Sequence, residues 1–381
     1  MTSPEVHGVC DERFAAVRQV FEGNFANGLE AGASVAVTVD GEFVVDLWGG
    51  VADVDTGRPW ERDTIVNVWS STKTMVALVA LELADRGVLD LHAPVATYWP
   101  EFAAAGKEGI EVRHVLGHTA GLSGWRDPMT VDGLYDLPTA NSLLAAQAPL
   151  WEPGTASGYH AITEGHLMGE IVRRVTGVSF GEYFRTTFAE PLGADFQIGV
   201  GATDDARVAT IVPPSFPLGG GVDLEVGSIP HMTLCNPVVH ATISATEAFR
   251  RAELPAANGH GNARSMARVQ SIVSNGGVLD GHRFLSEAGI ETLFEEQACG
   301  VDLVQAVPLR LGVGYGINGP ELPVSPNPRA CYWGGWGGSI VLNDLDANVT
   351  FAYAMNRMGE GSTVDFRGVG LALAMHTVLM A

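Results

Sequence analysis

Phe14, Val17, Phe21 and Phe25 recur at spacings of three and four, the period of a helix with one buried face. The Asn27-Gly28 pair marks the expected end of that helix. The period then drops to two. "ASVAVTVDGEFVVDLWGG" carries two β-branched runs joined by Asp40-Gly41, the pair that a tight type I′ hairpin turn favours because both positions need positive φ. From about residue 70 to about 300 the spacing is mainly helical, broken by Gly and Pro. Within it a loop-rich stretch, 199–262, contains "VPPSFPLGGGVD" and is a candidate cover over a pocket. Strand signals return in "RLGVGYGI", "RACYWGG", "GGSIVLND" and "NVTFAYAMN". A last helix is expected from about Ser362 to Leu379, opened by Ser362 and Asp365 as a capping box. Strands at both ends with helices between predict a discontinuous α/β lobe, residues 1–69 with 300–381, and a mainly helical lobe, 70–299.

One position breaks the pattern. From Met75 to Leu83 only Glu82 is polar, so the segment reads as a buried helix, yet Lys73 sits just inside it. A buried cation is costly unless something uses it. In a helix beginning near Ser70, residues 70 and 73 share a face, so the Lys73 amine reaches the Ser70 hydroxyl, while Ser71 and Thr72 point elsewhere. The helix terminus favours negative charge developing on the serine oxygen, and burial lowers the lysine pKa toward the range of a base, about 7–8. The plain alternative is an N-cap serine with a snorkelling lysine.

Two further stretches bear on that choice. In "WEPGTASGY" a Pro-Gly turn leads to Tyr159, followed by a helix with Ile162, Leu167, Met168, Ile171, Val172 and Val175 inward. Beside an ammonium the phenolate form is favoured, so Tyr159 is a candidate to take the serine proton or return one to a leaving group. In "CYWGGWGGSIV" the glycines let a backbone or a substrate approach closely. An N–H from Trp336, beside that of Ser70, is then the expected oxyanion hole.

Ser70-x-x-Lys73, Tyr159 after a "PGT" turn, and Trp333-Gly334-Gly335 on a late strand together resemble the serine β-lactamase and penicillin-binding superfamily, specifically its family VIII carboxylesterase branch. "LADRGVLDLHAPVATYWPEF", "VRHVLGHTAGL", "GEIVRRVTGVSFGEYF" and "MARVQSIVSNGGVLDGHRFLS" extend the likeness through most of the chain. The resemblance implies an α/β (α+β) fold of the β-lactamase/DD-peptidase type, an antiparallel sheet flanked by helices with a helical subdomain. It also implies Ser70 as acylated nucleophile, Lys73 and Tyr159 as the proton-transfer pair, an oxyanion hole from Ser70 and Trp336, substrate contacts at Trp333, Gly334 and Gly335, and neither cofactor nor metal. Two departures favour neutral esters over β-lactams. Tyr159-His160-Ala161 lacks the asparagine that holds a substrate amide, and Trp333 stands where a lysine or histidine binds a carboxylate, a contact worth about 1.5–3 kcal/mol. The expected substrates are esters of small to medium acyl groups. β-Lactam or D-amino-acid peptide hydrolysis and acyl transfer are the alternatives. His160 and Trp125 are further candidates to line the pocket, with capping and core packing as the competing uses.

Composition narrows the partners. A formal net charge of −22 argues against nucleic acid or anionic membrane as a partner, and a small-molecule ester fits better. Cys10, Cys235, Cys299 and Cys331 lie far apart, and the amino terminus lacks a basic start followed by an apolar run, which together predict a cytoplasmic protein with reduced thiols. "GVSFG", residues 177–181, matches a nucleophile elbow around Ser179, but a helix rather than a strand precedes it, so Ser179 is expected to cap the next helix. His114 and His118 have metal-compatible spacing without a third ligand, and Asp53, Asp55 and Gly57 read as a turn.

Overall fold

A computed structural model describes residues 5–361 and 365–380. Its centre is a ten-stranded antiparallel sheet. The strands used below are β1 (Val6–Cys10), β2 (Gly32–Val39), β3 (Glu42–Asp53), β4 (Ala298–Val301), β5 (Pro308–Leu311), β6 (Gly316–Ile317), β7 (Ala330–Gly334), β8 (Ile340–Asp344) and β9 (Val349–Met355). They lie in the order β1-β3-β2-β9-β8-β7-β6-β5-β4, with Arg58–Pro59 added beside β3. Pairing of β2 with β9, Val35 opposite Tyr353, joins the two ends of the chain in one sheet. The hairpin turn is as read: Asp40 and Gly41 have φ of 50° and 81°.

The helices that matter here are α1 (Ala15–Ala26), α2 (Lys73–Asp85), α3 (Leu137–Ala146), α4 (Thr163–Thr176), α5 (Phe180–Phe184), α6 (Ala263–Ser274) and α7 (Phe366–Leu379). β9 is buried along its whole length because both faces are covered. Side chains alternate across a strand, so Thr350 meets Ser274 of α6 while Tyr353 meets Glu30 and α7 on the other face. α6 packs on β2, β8 and β9, although its sequence falls inside the segment expected to form the helical lobe. Its apolar face, with Met266, Val269, Ile272 and Val273 buried, fits a sheet as well as another helix, which periodicity alone does not distinguish. The expected start of the last helix at Ser362 lies outside the described residues; Asp365 is the N-cap and accepts from the Arg367 N–H.

Arg367, 3% exposed, ties the end of the sheet together. It pairs with Asp365 and Glu30 and donates to the carbonyls of Leu29, Arg357 and Gly337. Removing one partner of a buried pair leaves an uncompensated charge, so Arg367→Ala should cost about 3–5 kcal/mol in urea unfolding. A loss below about 1 kcal/mol would show that the network adds nothing to the fold.

Candidate active site

Ser70 lies in a short 3-10 turn, Trp69–Thr72, that leads directly into α2, so the regular helix begins at Lys73 rather than near Ser70. Trp69 has φ of 47°, a conformation that costs a bulky residue energy and persists only when its surroundings enforce it. The surroundings here are specific. Thr72 Oγ1 donates to the Trp69 carbonyl and accepts from the Gly259 N–H. Ser71 Oγ is 2.9 Å from Ser339 Oγ, which donates to the Val68 carbonyl. Ser71 and Thr72 thus fix the turn, and Ser70 is left facing a cavity.

Lys73 and Tyr159 converge on that hydroxyl. Tyr159 Oη donates to Ser70 Oγ at 2.5 Å, and Lys73 Nζ lies 3.3 Å from the same atom. Lys73 also donates to the carbonyls of Ala161 at 2.8 Å and Ala256 at 2.9 Å. Burial brings its pKa down to about 8, against the opposing pull of Glu164. Tyr159 differs from expectation. Burial raises its pKa well above the ordinary tyrosine value and outweighs the lowering by Ser70 and Trp333, so the group is a phenol and not a phenolate.

Asp302 holds the Tyr159 loop: its Oδ1 accepts from the N–H groups of Tyr159, Val304 and Gln305. Sequence reasoning gave no sign of this carboxylate, because it lies 143 residues from the tyrosine. It also missed Glu164, fully buried with Oε2 3.7 Å from Lys73 Nζ. The signal was present: Glu164 lies three and four residues before Leu167 and Met168, on the inward face of α4.

The glycine-rich turn after β7 packs against the Ser70 turn. A Cβ on Gly335 would stand 2.2 Å from the Val68 carbonyl oxygen, so only glycine permits the approach. The Trp69 and Trp336 rings stack edge to face with centroids 4.9 Å apart. Neither the Ser70 nor the Trp336 backbone N–H has an acceptor among the described residues. Arg367 and the Gly359 N–H both hold the Gly337 carbonyl, which steadies the turn carrying Trp336.

Trp69, Ser70, Ile162, Leu218, Ile243 and Trp336 are among the walls of a small apolar cavity of about 30 Å³. Leu218, Val239, Ile243, Phe249 and Leu254 bring the 199–262 stretch into its lining. On another side, Trp333 and Gly334 line a cleft of about 430 Å³ with Val307, Leu309 and Leu322. Trp333 packs on Tyr159 and His118; its indole N–H lies close enough to favour the Tyr159 phenolate, but no acceptor meets it with hydrogen-bond geometry. Neither that cleft nor a larger groove of about 700 Å³ between α3 and α4 is lined by Ser70, Lys73 or Tyr159.

His160 is a correction. It is fully buried, outside both lining sets, with Nε2 accepting from the Leu122 N–H and Nδ1 bonded to the Gly158 carbonyl. Trp125 is buried and donates to the Ala140 carbonyl. Ser179 caps α5, accepting from the Glu182 N–H, and its hydroxyl donates to Glu253. His114 takes part in a capping box with Glu111, and Asp53 closes a turn by accepting from Asp55 and Thr56. Among the described residues no group of three or more His, Cys, Asp or Glu side chains is placed to hold a metal ion, and no helix is long and apolar enough to cross a membrane.

A profile of the Beta-lactamase family matches residues 17–374. The chain is 38% identical over 363 residues to the esterase/beta-lactamase LipL of Mycobacterium tuberculosis (strain ATCC 25618 / H37Rv), which is 93% of this chain and 83% of that protein. Among solved structures, a family VIII carboxylesterase is similar with a TM-score of 0.92 at 42% identity, covering 98% of this chain and 100% of that one. A penicillin-binding protein homologue from Caulobacter crescentus is similar with a TM-score of 0.92 at 39% identity, over 98% and 100% of the two chains.

Proposed function

Since the chain belongs to the beta-lactamase family, we propose that it is a serine esterase that cleaves carboxylic esters of small acyl groups through an acyl-enzyme on Ser70. The observation that carries this reading is the convergence of Lys73 and Tyr159 on one hydroxyl at the wall of an apolar cavity. Lys73 is the base. The Ala161 and Ala256 carbonyls occupy two of its N–H groups in either protonation state, so the neutral amine turns its lone pair toward Ser70. Tyr159, kept as a phenol by burial, is the acid that protonates the departing alkoxide. The Ser70 and Trp336 N–H groups receive the oxyanion. Water then replaces the alcohol, loses a proton to the same pair and releases the acid.

The apolar cavity at Ser70 takes the acyl group, and the alcohol lies on the side of Tyr159, whose ring packs on Trp333. No lysine or arginine among the described residues lines that cavity or the Trp333 cleft, which supports neutral esters over carboxylate-bearing β-lactams and peptides. Four unpaired thiols are in keeping with a cytoplasmic site of action. With about 30 Å³ beside the serine, p-nitrophenyl acetate should be turned over at least about tenfold better in kcat/KM than the hexanoate. A flat response to chain length would refute the acyl assignment, and absence of turnover on every ester would refute the esterase reading.

A further inference from the structure

Glu164 is the buried titratable group that the reaction above leaves unused; burial pushes its pKa up to about 8, so it is a carboxylate on the alkaline side of that value. It is 0% exposed, and neither carboxylate oxygen has a hydrogen-bond partner among the described residues. Buried polar groups are nearly always hydrogen-bonded, and an isolated buried carboxylate is costlier than most. Facing it, at an ion-pair distance of 3.7 Å, is Lys73, 1% exposed. The lysine has no N–H left for it, because Ala161, Ala256 and Ser70 take all three directions. Glu164 therefore acts on Lys73 chiefly through its field, which is strong between two groups buried this deeply.

The neighbours leave that field unopposed. Tyr159 remains a phenol, and burial keeps His118, His160 and His166 neutral. α4 packs against α2, α3, α5 and the short helix Val112–Leu116. α3 carries no titratable side chain. On the others, Glu82 is bonded to Arg86 and Tyr183, Asp85 to Ser286, Arg113 to Glu111 and His114 to the Glu111 N–H, and Glu182 is exposed.

We propose that Glu164 is a positioning residue of the hydrolysis: its carboxylate stabilises the ammonium that forms when Lys73 accepts the Ser70 proton. In that step the Ser70 O–H bond breaks, Oγ bonds to the carbonyl carbon, the carbonyl π pair moves to oxygen, and the proton settles on the Lys73 lone pair. Glu164 changes no bond. The arrangement follows the logic of a nucleophile, a base and a third group that supports the base. It rests on the Ser70–Lys73 reading given above.

Burial drives both members of the pair toward their neutral forms, and mutual attraction opposes both shifts, so they titrate together. Glu164→Gln keeps the shape and removes the charge, which makes Lys73 both a weaker base and easier to deprotonate. At about pH 9 kcat should fall about tenfold with KM changed less than about twofold, and the acid limb of kcat/KM should move to lower pH by about one unit. Glu164→Asp, which retains the charge one methylene further away, should fall between, and it remains decisive if the Gln variant does not fold. A carboxyl with a purely structural role would lower the melting temperature and leave the limb in place. An unmoved limb in the folded variants overturns the proposal. Full turnover in Ser70→Ala would instead overturn the nucleophile, so the two failures are distinguishable.

Discussion

Ser70→Ala is expected to lower ester turnover by about 10⁵-fold, leaving only what binding and the oxyanion hole contribute. The neighbouring hydroxyls cannot substitute. Ser71 is bonded to Ser339, and Thr72 bridges the Trp69 carbonyl and the Gly259 N–H, so redirecting either would undo the turn. The side chain removed is small and faces the cavity, so stability should change little. Hydrolysis of p-nitrophenyl acetate by the two proteins, with fluorophosphonate labelling of each, measures the effect. Undiminished turnover with intact labelling would move the nucleophile elsewhere, with Ser179 the first alternative, although its hydroxyl is engaged by Glu253 and it lines a different groove.

The second large effect separates the base from the acid. Tyr159→Phe deletes one hydroxyl whose hydrogen bond is to Ser70, and the ring can still pack on Trp333 and His118. If Tyr159 delivers a proton to the leaving alkoxide, the loss depends on how much that alkoxide needs it. Turnover of an alkyl acetate should fall about 10³-fold, and that of p-nitrophenyl acetate, whose phenolate departs without a proton, by only about tenfold. Equal losses on both would assign Tyr159 to serine activation and remove Lys73 from the role of sole base. The raised tyrosine pKa gives the direction: a group that holds its proton this firmly is suited to donate only when an alkoxide appears.

Much of this site was legible because it violates local rules. Lys73 drew attention as a cation in an apolar run, and the glycines after Trp333 as an excess near a strand. Glu164 violates the same rule on α4, but it stands one position past the helix start, where an acidic residue also has an ordinary reason to be. The state of Tyr159 was misjudged because a sequence shows the neighbouring charge and not the depth of burial, and burial is the larger effect here. His160 is a candidate for the pocket wall or for the core in the sequence alone, and the structure decides for the core: its ring turns to Leu122 and Gly158. For the fold, the period-two runs located the hairpin and the late strands, while nothing in periodicity could put α6 on the sheet. The left-handed backbone at Trp69 is likewise imposed by tertiary contacts from Gly259 and Ser339.

The pairing of β2 with β9 has a consequence for how the molecule comes into being. The Gly32 N–H donates to the Asn356 side chain, 324 residues away, and strand pairs of such separation pay a large loop-closure entropy before any contact rewards it. During synthesis β2 and β3 emerge early as a hairpin with one edge unpaired, and they wait for nearly the whole chain before β9 covers that edge. Ser70, Lys73 and Tyr159 are all translated before Trp336, so the proposed nucleophile precedes by a long stretch of chain the turn proposed to receive its oxyanion. Ester hydrolysis by the nascent chain is therefore expected only after the sheet has closed.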